Sequence, residues 1–293
     1  MKIKSALPYI LVIILVAFLM IVILGFFFVW KDNQKQKDEL SELKNDIAII
    51  QNEINSLKKD NENNNDNGDG KDKGDIIQIY NYEPEYLTDS YNILAIGNCI
   101  TRNNNSEYSP YEYGLGASCF ENDYLHKLGE MSFNSKKNVY VYPLNYSVWE
   151  MTDTGRSALL GQLDTYLDEK LDLIVIQLGE NIFNTDSFET DYSNLIEYVK
   201  GKAPNAQIVI VDDFWDDEKS KIKERIAKNN GVLFASLKDI KNDKQYQCGI
   251  GYVTNFVDGS SFSIQNERAA EYPNDKGMAY IAKEIINLLN TEK

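Results

Sequence analysis

The sequence predicts a three-layer α/β/α sandwich with about five parallel strands, and three observations predict it. Short apolar runs rich in β-branched residues recur along residues 92–236. Helix-period segments alternate with them, the pattern of a parallel sheet covered on both faces. The last of these segments repeats Met278, Ile281, Ala282, Ile285, Ile286 and Leu289 on one face, a helix that packs on a sheet.

Strands are expected at Asn92–Ile96, Asn138–Tyr142, Leu173–Gln177, Gln207–Asp212 and Val232–Ser236. The first is the pivot: Ile93, Leu94, Ala95 and Ile96 read as a buried strand, and Gly97 and Asn98 stop it with turn chemistry. Cys99 follows at the carboxyl end, where parallel sheets place their ligands. A cysteine there is either a small buried hydrophobe or a nucleophile. Helices are expected at Glu121–Met131, Ser157–Leu171, Asp191–Lys200, Asp217–Asn229 and Asp275–Leu289. Pro273, Asn274 and Asp275 form a plausible entry into the last of them.

The N-terminal quarter is built differently. Tyr9–Trp30 is apolar almost throughout, about the length that spans a bilayer as a helix. Lys2 and Lys4 precede it, and Trp30 stands at its far edge as an interfacial anchor. A cleaved signal peptide has a shorter apolar region and a small-residue cleavage site, so residues 1–31 are expected to be an uncleaved signal anchor. Residues 32–60 read as a stalk: Leu40, Leu43, Ile47, Ile50, Ile54 and Leu57 alternate spacings of three and four. With Leu40 at a, Glu39 faces Lys44 and Glu53 faces Lys58 between parallel chains, so residues 38–60 are expected to join copies of the chain as a parallel coiled coil. Residues 61–75 carry only Asn, Asp, Glu, Gly and Lys, a flexible linker of roughly 50 Å at full stretch. Residues 76–293 form the globular domain.

The formal net charge of the 293 residues is −15, which argues against nucleic-acid binding and against docking on anionic lipid. The odd count of three cysteines, at 99, 119 and 248, leaves at least one thiol outside any intrachain bond, and a Cys119–Cys248 pair stays open. No cofactor or metal is expected. Asp212, Asp213, Asp216 and Asp217 flank Trp215 at a strand end, where carboxylates either hold Ca²⁺ or form a solvated loop, and Trp215 either stacks on a sugar or half-buries.

Gly97-Asn98-Cys99-Ile100-Thr101 resembles the first block of the SGNH (GDSL-type) hydrolases, where a Gly-Asp/Asn-Ser turn carries the nucleophilic serine. Leu178-Gly179-Glu180-Asn181 resembles the block that supplies the oxyanion-hole asparagine. Tyr272-Pro273-Asn274-Asp275-Lys276-Gly277-Met278 resembles the last, written Asp-x-x-His-Pro-x-Asp-x-Gly-Met in the bacterial branch. The likeness spans about Tyr91–Leu289 and implies a flavodoxin-like α/β/α domain outside the cell, held at the membrane in a single pass. It also implies a backbone oxyanion donor at Gly114 or Gly116, and ligand-edge residues at Asn98, Trp149, Glu150 and Trp215. All three triad positions depart from the family: Cys99 stands for serine, Tyr272 for histidine and Ala269 for aspartate. The only histidine, His126, falls within an expected helix and is not expected to act in catalysis.

Three functions are therefore expected in order. The first is a pseudohydrolase that binds an acylated envelope glycan or a surface protein. The second is a carbohydrate O-acyl esterase or acyltransferase using Cys99 with another base, Glu267 or Glu271. The third is a structural stalk protein whose domain mediates assembly.

Overall fold

A computed structural model describes residues 77–79, 84–104, 112–133, 138–255 and 259–291. These lie in one compact unit, Lys73–Lys293. The expected membrane anchor, coiled coil and linker fall outside the described residues. Among the described residues no helix is long and apolar enough to cross a membrane.

The central sheet has six parallel strands: β1 (Ile77–Ile79), β2 (Tyr91–Gly97), β3 (Val139–Asn145), β4 (Leu173–Gln177), β5 (Gln207–Val211) and β6 (Leu233–Ala235). Their order is β1-β3-β2-β4-β5-β6, all pairs parallel. Five strands coincide with the expected ones to within three residues at each end. The sixth, β1, covers β3 only at Val139–Val141. Pro143 lies past that cover, where one side of β3 is an edge and a missing N–H breaks no ladder.

The strands sort their side chains by parity. Ile93, Ala95, Val139, Val141, Leu173, Val175, Val209 and Val211 face one core. There α1 (Tyr124–Phe133) and the last helix, α6 (Asp275–Thr291), cover them. Leu94, Ile96, Tyr142, Ile174, Ile176, Ile208 and Ile210 face the other core, under α3 (Phe188–Lys202) and α4 (Asp217–Asn230). Strands buried on both faces read as unbroken apolar runs, which is why the sheet was visible in the sequence.

The expected helix at Ser157–Leu171 is instead a 3-10 helix, Arg156–Leu163, followed by turns. Leu160 and Leu163 are its buried apolar pair, three apart, and residues three apart stack in a 3-10 turn. Gly161 between them weakens the α alternative. Short elements without an apolar run were not foreseen: α2 (Ser147–Met151), the antiparallel pair β7 (Val253–Asn255) and β8 (Ser261–Ser263), and α5 (Glu267–Ala270).

Candidate ligand cleft at the sheet's carboxyl edge

The turn after β2 is fixed by its own groups. Asn98 accepts at Oδ1 from the Ile100 N–H at 2.9 Å, and its carbonyl accepts from Thr101 N at 3.0 Å. A Cβ at Gly97 would stand 1.9 Å from Thr101 Oγ1, so only glycine fits there. The turn presents Cys99 at the mouth of a cleft of about 400 Å³ that Asn181 and Tyr272 also line. The three groups expected at a shared site from separate blocks of sequence are thus brought together.

Cys99 Sγ lies 3.2 Å from Tyr272 Oη. Burial pushes the Cys99 thiol up to about 11; the Tyr272 hydroxyl works against that rise, and Glu150 and Glu180 add to it. Burial also raises the Tyr272 phenol well above its ordinary value, and the neighbouring Cys99 adds to the shift. Loss of solvent thus decides the thiol's protonation. Ala269 is fully buried beside Ile264 and Ala270 and carries no group that could orient a base.

Asn181 is held from both sides. Its Nδ2 donates to Glu150 Oε2 at 2.6 Å, and its Oδ1 accepts from Arg268 Nη2 at 3.1 Å. Glu150 also accepts from the Gly179 N–H, and from Asn98 Nδ2 at 3.1 Å. Donors from Asn98, Gly179 and Asn181 thus converge on a carboxyl group of the chain itself. Gly179 is required where it stands: its φ is +128°, and a Cβ would meet Lys223 Cε at 2.6 Å.

Beneath the cleft lies a buried ionic layer. Lys223, in α4, is 3.3 Å from Glu180 Oε1, and neither side chain exceeds 1% exposure. Asn98 Nδ2 donates to Glu180 Oε2 at 2.9 Å. Burial raises Glu180 to about 7; Lys223 pulls it down, and Asp213 and Glu150 push it up. Burial opposes the charge on Lys223, but Glu180, Asp213, Asp212 and Glu150 outweigh it and hold the ammonium protonated.

Several expected site residues stand elsewhere. Gly114 donates its N–H to Asp123 Oδ2 at 3.4 Å and packs on the Ile100 carbonyl, behind the turn. Gly116 packs on the Pro273 carbonyl and Cys248 Sγ. Neither glycine lines the cleft; their small size serves close packing. Trp149 is wholly buried against Tyr192 in the core, not at a ligand edge. Trp215 packs edge-on to Tyr272 with centroids 5.1 Å apart, and its Nε1 donates to the Glu271 carbonyl. The acidic run beside it is occupied: Asp213 Oδ1 accepts from Trp215 N and Asp216 N, Asp216 caps α4, and Asp212 pairs with Lys241. His126 pairs with Asp123 at 2.9 Å, within one turn of chain. Glu267 and Glu271, expected as alternative bases, line a second cavity of about 320 Å³ with Cys248. All three cysteines are free thiols, and Cys248 donates to the Gly116 carbonyl at 3.3 Å, so no Cys119–Cys248 bond forms.

Arg268 was not foreseen. Asn266 caps α5 by accepting from Arg268 N at 2.9 Å and Ala269 N at 3.1 Å, which fixes the arginine beside Tyr272. Its only sequence signal was an Asn one residue before a short polar helix.

No protein-family model and no curated protein matches the chain in sequence. Among solved structures, a two-domain esterase active on acetylated mannans, co-crystallised with mannopentaose, is similar at TM-score 0.45 and 16% identity, over 69% of this chain and 49% of that one. The chain thus spans about half the length of that esterase. Phospholipase A1 from Streptomyces albidoflavus matches at TM-score 0.41 and 11% identity, over 69% and 99% of the two chains. An extracellular lipase from Streptomyces rimosus matches at TM-score 0.40 and 12% identity, over 69% and 100%.

Proposed function

We propose that the domain is a binding module of esterase-like architecture, which holds an acylated glycan in the Cys99 cleft and does not hydrolyse it. The observation that carries this reading is the Cys99–Tyr272 contact of 3.2 Å. Acyl transfer through a thiol needs the thiolate, a base to take its proton and a group to protonate the leaving alcohol. Here the thiol's only side-chain partner among the described residues is a phenol that itself holds its proton to higher pH than usual. The Gly179 N–H and one N–H of the Asn181 amide already serve Glu150. Binding needs none of these transfers. The cleft still offers a concave surface of mixed polar and apolar side chains, as ligand sites do.

The same proposal carries a membrane tether at residues 9–30, a parallel oligomer through residues 38–60 and an external position for the domain. The tether and the oligomer rest on the sequence pattern, and the external position rests on the family resemblance. A surface protein in place of the glycan is the second occupant to test. Against the esterase alternative stands the position of its expected bases, Glu267 and Glu271, which line the other cavity.

The test is turnover of 4-nitrophenyl acetate by the full-length protein and by its Cys99→Ala variant at neutral pH. Equal rates are expected. Saturable turnover present only with Cys99, and abolished by iodoacetamide, would overturn the proposal in favour of a working acyl enzyme.

A further inference from the structure

We infer that the cleft selects an acidic oligosaccharide, with a sugar carboxylate seated on Arg268. The inference rests on the glycan-binding reading above and adds the chemical class of the glycan.

Three observations converge on it. First, Arg268 is the one ionic side chain among the described residues that line the cleft, in a chain whose net charge is −15. Glu150 and Glu180, which act on Cys99, do not line the cleft and are turned to Asn98, Gly179, Asn181 and Lys223, while Glu267 and Glu271, beside Arg268 and Tyr272 in the chain, line the other cavity. Second, Arg268 has no carboxylate partner among the described residues. Its one side-chain hydrogen bond, to Asn181 Oδ1, is to a neutral amide. The Asn266 cap fixes the Arg268 backbone, and the bond to Asn181 directs the exposed guanidinium to the cleft while leaving its charge uncompensated. A planar fork of N–H donors held this way matches a carboxylate in two-point geometry, which an ammonium does not.

Third, the surroundings fit a sugar better than a peptide terminus. Phe183 lines the same cleft at 84% exposure, a ring face open to the C–H side of a pyranose. Asn104 and Ser147 line it too, and neither the Asn104 amide nor the Ser147 hydroxyl has a side-chain partner among the described residues. Side-chain amides and hydroxyls around an open aromatic ring suit several ligand hydroxyls. An extended peptide is instead recognised mainly through main-chain hydrogen bonds at a sheet edge.

The experiment is titration calorimetry of the full-length protein with tetragalacturonic acid and with the same tetrasaccharide after its carboxyl groups are reduced to alcohols. The acid is expected to bind about tenfold tighter or better, the range for a hydrogen bond to a charged group. Arg268→Gln should erase the difference between the two sugars, and Arg268→Lys should restore only part of it. Equal affinity of the wild-type protein for both sugars would overturn the carboxylate inference and leave glycan binding standing. Binding of neither would overturn both. Displacement of the acid by a tripeptide with a free carboxylate at lower concentration would assign the cleft to a peptide and overturn the sugar inference. The wild-type comparison needs no variant to fold, so the outcome does not depend on Arg268 being dispensable for stability.

Discussion

Burial keeps the proton on both Cys99 and Tyr272, and this sets the reactivity of the site. With the thiol near 11, about one molecule in ten thousand carries a thiolate at pH 7. The rate of Cys99 alkylation by iodoacetamide is predicted to climb about tenfold per pH unit up to about pH 11. Tyr272→Phe removes the hydroxyl that lowers the thiol's pKa, so it should slow alkylation further and move the profile up. A rate that levels off near pH 8.5, assigned to Cys99 by peptide mapping, would refute the buried-thiol picture. Cys99 was legible in the sequence because it follows a buried apolar run and a turn, whereas Asn181 and Tyr272 were legible only through the family blocks they resemble. Glu150 was legible as a neighbour of the site but not as its hub. Its partners Asn98 and Asn181 lie 52 and 31 residues away, and no local pattern encodes such a pairing. Trp149 was misplaced because an aromatic residue at a strand end looks the same in sequence whether it turns to the core or to a ligand.

Among the elements, α4 shows how a helix can be tied to a sheet by charge as well as by apolar contact. It buries Ile226 and Ala227, and it sends Lys223 under the cleft to Glu180 and the Val211 carbonyl. The ordinary carboxyl value of 4.5 for Glu180 is raised to about 7 in the fold. Between those values the folded chain holds a proton that the unfolded chain has released. Stability contributed by this group is therefore predicted to fall as pH rises from about 4.5 to 7. Glu180→Gln cannot ionise, so its urea midpoint should lose that decline even though the variant is less stable throughout. The same decline in the variant would place the titration elsewhere. The sequence could show that Asp217–Asn229 is helical but not that its lysine at 223 points inward, since a lysine in a charged helix reads as a solvated face. The 3-10 stretch Arg156–Leu163 was unreadable for a related reason: apolar residues three apart fit either helix type until the packing decides.

For the whole molecule, the alternation of apolar runs with amphipathic segments was enough to give the layers, because both faces of the sheet are covered. The strand order was not encoded so plainly. The chain adds β3 on one side of β2 and β4 on the other, and the loops that leave these neighbouring strands diverge, opening a crevice above β2. That reversal puts Cys99 at the centre of the site. The two edge strands are the least secured by pairing: β1 holds three residues in register with β3 alone, and β6 three with β5 alone. Amides of residues 77–79 are predicted to exchange hydrogen far faster than those of Tyr91–Gly97, which sits between two neighbours. Equal protection would show that β1 is locked by more than its single ladder.

That edge strand has a mechanical consequence. Tension that reaches the domain along the chain from its N-terminal side meets β1 first among the described strands. Peeling three residues off β3 releases about 10 Å of chain. The five remaining strands, and the crevice above them, stay seated. A domain pulled from that side would lengthen a little before its central strands bore the load.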